Sequence, residues 1–155
     1  MKTRNILASL VVFLAGIAFA AAQTDESAQM GTWKLNEAKS KFGPGAGKNT
    51  TVTYAAAGDN MVKIVTDGVD GAGKPTHTEW TGKFDGKDYK VTGTSDYDTR
   101  SYIPAGKHSL SMTLKKGDKT VMTGKVMVSP DGKSRTVTTV GAEPSMNNSA
   151  VYDKQ

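Results

Sequence analysis

The chain contains no cysteine. Disulfides, thiolate nucleophiles and lipid attachment through a cysteine are therefore excluded. Histidine is almost as scarce, with only His77 and His108. Arginine is limited to Arg4, Arg100 and Arg135, although lysine is plentiful. Tryptophan occurs twice, at Trp33 and Trp80. Large aliphatic side chains are also few. Over residues 23–155, Leu, Ile, Val and Phe together number 18. Such a level can signal disorder, but the regular strand periodicity argues for a folded domain. A chain so poor in large apolar groups cannot fill a thick dry core. It fits a thin-walled barrel with a partly polar interior. No long amphipathic segment is present, which excludes a helical bundle or a membrane-surface helix.

Residues 1–22 read as an export signal. Lys2 and Arg4 form a positive start, Ile6 to Phe19 is apolar, and Ala18-Phe19-Ala20 and Ala20-Ala21-Ala22 are small-x-small cleavage patterns. Cleavage is expected after Ala22. An uncleaved anchor is the alternative, but the run is short for a span of about 20 residues. The expected mature chain is then a short tail over 23–29 and one domain over 30–155. A periplasmic or secreted location is expected, with no transmembrane segment left after cleavage. Removing Lys2 and Arg4 from the 20 basic residues leaves 18 against 15 acidic ones. Lysines alternate with acids at Lys83, Asp85, Lys87, Asp88 and Lys90. That pattern describes a solvated surface and gives no basic face for nucleic acid.

What the chain does have is period-two patterning. Leu110-Ser111-Met112-Thr113-Leu114-Lys115 alternates strictly. Trp80 and Phe84 share one face, with Glu79 and Lys83 on the other. Turn pairs Gly58-Asp59, Asp85-Gly86, Gly117-Asp118 and Asp131-Gly132 separate the runs, and Asp-Gly suits tight hairpins. The five prolines are expected between strands or at their ends. Ten strands are predicted: 30–35, 49–57, 60–66, 75–84, 87–93, 98–103, 107–116, 119–129, 133–141 and 148–154. Their spacing of roughly 8–12 residues indicates an antiparallel barrel or sandwich. The one predicted helix is Asn36 to Phe42, capped by Asn36 and stopped by Gly43-Pro44.

Gly31-Thr32-Trp33-Lys34-Leu35, followed by Lys41-Phe42, resembles the opening of the calycin superfamily, the lipocalins and fatty-acid-binding proteins. Val151-Tyr152-Asp153-Lys154 is similar to the last strand of the fatty-acid-binding proteins. Small exported bacterial lipocalin-like domains are the nearest likeness. The resemblance implies an all-β, antiparallel up-and-down barrel of 8–10 strands with one short helix near the first strand. It implies that Trp33 plugs the closed end and Gly31 lets backbones approach, a structural motif. A basic side chain often covers that indole in the superfamily, and Arg135 and Lys154 are the candidates. Where the fatty-acid-binding proteins carry an Arg two residues before the last-strand Tyr, this chain has Ala150. Their carboxylate clamp is therefore not carried over. Ser95-Asp96-Tyr97 faintly echoes a second lipocalin motif.

Several other patterns carry less. Gly43-Pro44-Gly45-Ala46-Gly47-Lys48 lacks the first Gly and the final Ser or Thr of a phosphate loop. Asp67-Gly68-Val69-Asp70-Gly71 misses calcium-loop spacing and reads as a hairpin. His77 and Glu79 share a strand face that looks toward water. No catalytic residue, metal or cofactor is assigned, with haem on a lone histidine as the alternative. The expected function is a monomeric barrel binding a small hydrophobic or amphipathic molecule. Its interior would be lined by Tyr54, Trp80, Phe84, Tyr89, Leu110, Met112 and Leu114. Arg100 and Tyr102 share a face and would anchor a polar group if that face is inward. The opposite phase puts Ser101 and Ile103 inside. A packed envelope protein without ligand is the second reading. An isomerase or cyclase using His77, Glu79 and Arg100 is the third.

Overall fold

The computed structural model describes residues 26–155. The export signal expected over 1–22, and its cleavage point, lie outside the described residues. Ten strands form one closed antiparallel barrel. They are β1 (Gly31–Leu35), β2 (Lys48–Ala56), β3 (Val62–Val69), β4 (Pro75–Gly82), β5 (Tyr89–Thr92), β6 (Thr99–Gly106), β7 (Ser109–Lys116), β8 (Lys119–Val128), β9 (Ser134–Gly141) and β10 (Asn148–Lys154). Each strand pairs with its neighbour in sequence, and β1 closes the ring against both β2 and β10. Gly31 pairs with Tyr54, and Trp33 pairs with Lys154. The up-and-down order follows from hairpins that join strands too close in sequence for any crossover.

The alternation decides what points inward. On β7, Leu110, Met112 and Leu114 are buried, as are Val62, Ile64 and Thr66 on β3. On β6 the inward face carries Arg100 and Tyr102, while Ile103 is exposed. The phase with Ile103 inside is thereby excluded. Turn chemistry works as the sequence suggests. In the β8–β9 hairpin Gly132 has φ +70°, and the Asp131 carboxylate accepts from Lys133 N at 3.0 Å.

Four local expectations change. The segment read as a helix from Asn36 to Phe42 is a 3-10 turn of three residues, Glu37–Lys39. Asn36 does cap it, accepting from Lys39 N. The turn cannot grow because the flanking backbone is bound to β10: Asn36 N donates to Val151 O, and Lys41 exchanges two bonds with Ser149. Second, residues 26–29 of the flexible tail expected over 23–29 are structured. Glu26–Gln29 form a 3-10 turn, and Gln29 is fully buried. Third, β3 continues through Val69, so the turn lies at 70–74, where Asp70 Oδ1 accepts from Ala72 N and Lys74 N at 2.9 Å each. Fourth, Pro104 lies within β6, at a register shift between Pro104 and Gly106. A bulge accommodates a residue without an N–H.

The lower part of the interior is solid. Trp80 stacks on Phe84 with centroids 6.2 Å apart, and meets Tyr89 and Tyr102 edge-on at 5.8 and 5.2 Å. The Trp80 indole N–H donates to Arg100 O at 2.9 Å. Beside this cluster Trp33 is completely buried, and its indole N–H donates to Gln29 O at 2.9 Å. Both basic side chains expected near that indole are present. The Arg135 guanidinium lies 5.0 Å from the ring centroid on the buried side, and Lys154 Nζ lies 5.2 Å away.

Candidate functional site

Packing is not uniform through the barrel. A cavity of about 140 Å³ lies inside it. Its apolar wall comes from Val52, Ile64, Met112, Leu114, Val126 and Val137. Its polar wall is Tyr54, Tyr97, Arg100, Tyr102, Arg135 and Tyr152. Asn49, Tyr97, Met122 and Thr139 line both this cavity and an adjoining open vestibule of about 370 Å³. Those four residues therefore form the neck. The vestibule is walled by the loops around Gly45, Gly71 and Ser145. Gly71 is required there, since a Cβ would overlap the Gly45 carbonyl oxygen.

The expected lining divides cleanly. Tyr54, Arg100, Tyr102, Met112 and Leu114 line the cavity. Trp80 and Leu110 are buried but belong to the solid part of the core. Phe84 stacks on Trp80 and faces a different, open depression near Met30 and Met61. Tyr89 is half-buried and donates from its hydroxyl to Asp85 at 2.9 Å. Alternation identifies inward residues but not their height along the barrel axis, and height separates these two sets. Trp33 is fully buried, whereas a Cβ at Gly31, which has φ +104°, would meet the Lys154 side chain and not a second backbone.

Arg135 was expected only as a cover for Trp33. It is 1% exposed, and it also lies 4.8 Å from the Tyr54 ring centroid and 5.0 Å from that of Tyr152. It forms the floor of the cavity. Arg100 is 7% exposed. Its Nη2 donates to the Tyr97 hydroxyl at 2.9 Å and its Nη1 reaches the Tyr102 hydroxyl at 3.4 Å. Arg100 Nε, Arg135 Nε and Arg135 Nη1 are buried without a hydrogen-bond partner among the described residues. No ion pair among the described residues involves either arginine. A clue lay in the composition: no described lysine is buried, while both described arginines are. Lysines sit outside and the rare arginines sit inside.

The electrostatics of this lining follow from burial. Burial acts to lower the Arg100 pKa, but Tyr102, Tyr97 and Tyr54 outweigh it and the net shift is upward. The guanidinium stays charged. Burial also raises Tyr102, against the pull of Arg100. Tyr152 is pushed up to about 12, mainly by burial and partly offset by Arg135. The cavity thus brings the guanidiniums of Arg100 and Arg135 together with the phenols of Tyr54, Tyr97, Tyr102 and Tyr152.

His77 and Glu79 lie on the outer face of β4. His77 Nδ1 meets Asp67 at 2.6 Å and Nε2 meets Glu79 at 3.5 Å. They do not come together with Arg100, which is inside. The hydrogen bond to Asp67, then that to Glu79, raises the His77 pKa above 6.5. A raised folded pKa means that the interaction stabilises the fold below the unfolded pKa and is lost as pH rises through the folded one. An NMR titration should give a His77 midpoint above 6.5, and Asp67→Asn should bring it down. A midpoint unmoved by Asp67→Asn would disprove the pairing in solution.

No protein-family model matches the chain, and no curated protein matches it. The class defined by the fold is a closed ten-stranded antiparallel barrel, compatible with a calycin-like architecture.

Proposed function

We propose that this protein is a lipocalin-like binding module of the cell envelope, periplasmic or secreted, that holds a small amphipathic molecule in its barrel. The observation that carries the reading is a local departure from close packing inside the barrel. The interior is solid around Trp80 and opens beside Arg100 and Arg135. Interiors normally pack to the density of organic crystals. A cavity with an apolar wall and a few convergent polar groups is the usual form of a ligand site. Its volume of about 140 Å³ compares with a cavity of about 150 Å³ that takes up benzene. The buried part of the guest is therefore about one ring in size, and any remainder passes the neck into the vestibule.

A second reading, a packed envelope protein with no ligand, draws on that same small volume, since most ligand pockets run to about 300–1,000 Å³. Native mass spectrometry of the protein purified from its own envelope fraction separates the two. A reproducible added mass, released on denaturation, is the expected result. An unadorned mass, together with no uptake of small apolar probes, would favour the packed barrel.

A further inference from the structure

We propose that the guest is a compact organic oxyanion, a carboxylate on an apolar body about one ring in size, whose charged group is held by Arg100 and Arg135. This deepens the binding-module reading and rests on it. The argument starts from charge. A guanidinium is protonated at any physiological pH and cannot shed its charge on burial as a lysine can. An isolated buried charge carries a penalty of several kcal/mol unless something compensates it. Here two such charges line one cavity small enough that a guest within it meets both. No carboxylate of the described chain pairs with either.

The partners that are present compensate only in part. Three rings surround Arg135, and two phenols accept from Arg100. They leave three buried N–H groups without acceptors: Nε of Arg100 and Nε and Nη1 of Arg135. Both arginines line the cavity, and a planar guanidinium is the side chain best matched to the two oxygens of a carboxylate. The tyrosine hydroxyls of Tyr54, Tyr102 and Tyr152 add neutral donors that repel no anion. Between these polar groups Val52, Ile64 and Met112 add apolar lining that suits the body of the guest. A neutral guest of the same shape would leave the two charges uncompensated, and a metal cation would meet only positive charge.

The clamp differs from a pair of surface charges. Tyr102 lies against Arg100 and the aromatic cluster at once. The position of the guanidinium is thereby fixed by the solid half of the core, which favours affinity because little ordering remains to be done on binding.

The test is calorimetric titration of the protein with benzoate and with benzamide, its uncharged isostere, in a low-chloride buffer. Benzoate is expected to bind about tenfold or more tightly than benzamide, in line with a charged hydrogen-bond pair. Arg100→Met should erase that preference, and Arg100→Lys should restore only part of it, since it returns the charge without the fork. If Arg135→Met does not fold, the two Arg100 variants carry the test alone. Equal affinity for the two probes, or a benzoate preference that survives Arg100→Met, overturns the proposal and leaves the binding module standing. Uptake of neither probe overturns the proposal, and together with an unadorned native mass it overturns the binding module as well. Displacement of benzoate by sulfate at equal concentration also overturns it, because the site would then hold an inorganic ion.

Discussion

Trp33→Ala is expected to lower the unfolding free energy by about 3–5 kcal/mol, the usual range for emptying a buried aromatic site. For a domain of this size that is a fall in Tm of about 9–20 °C, at roughly 3–4 °C per kcal/mol. Three effects add. The ring is completely buried, so its whole apolar area is lost. Its N–H bond to Gln29 O at 2.9 Å anchors the 3-10 turn that precedes β1. Its face is also one of three that support the Arg135 guanidinium. Without the indole, a charge already poor in partners is left poorer, at a cost beyond that of the cavity. Trp33→Phe separates the contributions, since it keeps a ring and loses the N–H bond. It should cost about 1–2 kcal/mol. Urea denaturation followed by near-ultraviolet circular dichroism measures both. A loss below about 2 kcal/mol for Trp33→Ala would show that the closed end relaxes around the gap.

The ten strands were legible because each buries one face. Period-two alternation in β7 and the Asp-Gly turns between strands leave little freedom of register. The scarcity of large aliphatics also proved a sound guide to the interior. Gln29, Thr66, Arg100 and Arg135 are all buried. The predicted helix at Asn36 to Phe42 failed because its pattern is local, whereas the backbone bonds that shorten it come from β10, more than a hundred residues away. The site was half legible for a related reason. Tyr54 and Trp80 are both inward aromatics on adjoining stretches of wall, yet one lines the cavity and the other fills the core. Strand tilt and the sizes of cross-barrel neighbours decide between them, and neither is encoded in one strand's alternation. Arg135 was obscured by the rule that charges face water. Its inward phase, with Val137 and Thr139 on the same face, was available from the alternation of β9.

Arg100→Met is expected to stabilise the ligand-free protein by about 1–3 kcal/mol, the range seen when buried charges give way to apolar side chains of similar volume. The sign follows from the balance at this position. Against the penalty of a buried charge stand a bond to Tyr97 at 2.9 Å, a long one to Tyr102 at 3.4 Å and the Tyr97 ring at 5.6 Å. The first is worth about 1.5–3 kcal/mol for a charged donor, the second less, and an exposed-edge ring about 0.5–1 kcal/mol. Nε receives nothing. Methionine fills the space with a flexible apolar chain and leaves two hydroxyls that can turn toward the cavity. Arg135→Met should gain less, because three rings already lie around that guanidinium. The ordering of the two variants in a thermal melt is therefore a test of the electrostatics, separate from any ligand. A gain in stability coupled to lost benzoate preference would mark Arg100 as a residue kept for binding at the expense of the fold. A loss of more than 1 kcal/mol would instead make it a bracket between Tyr97 and the wall of β6.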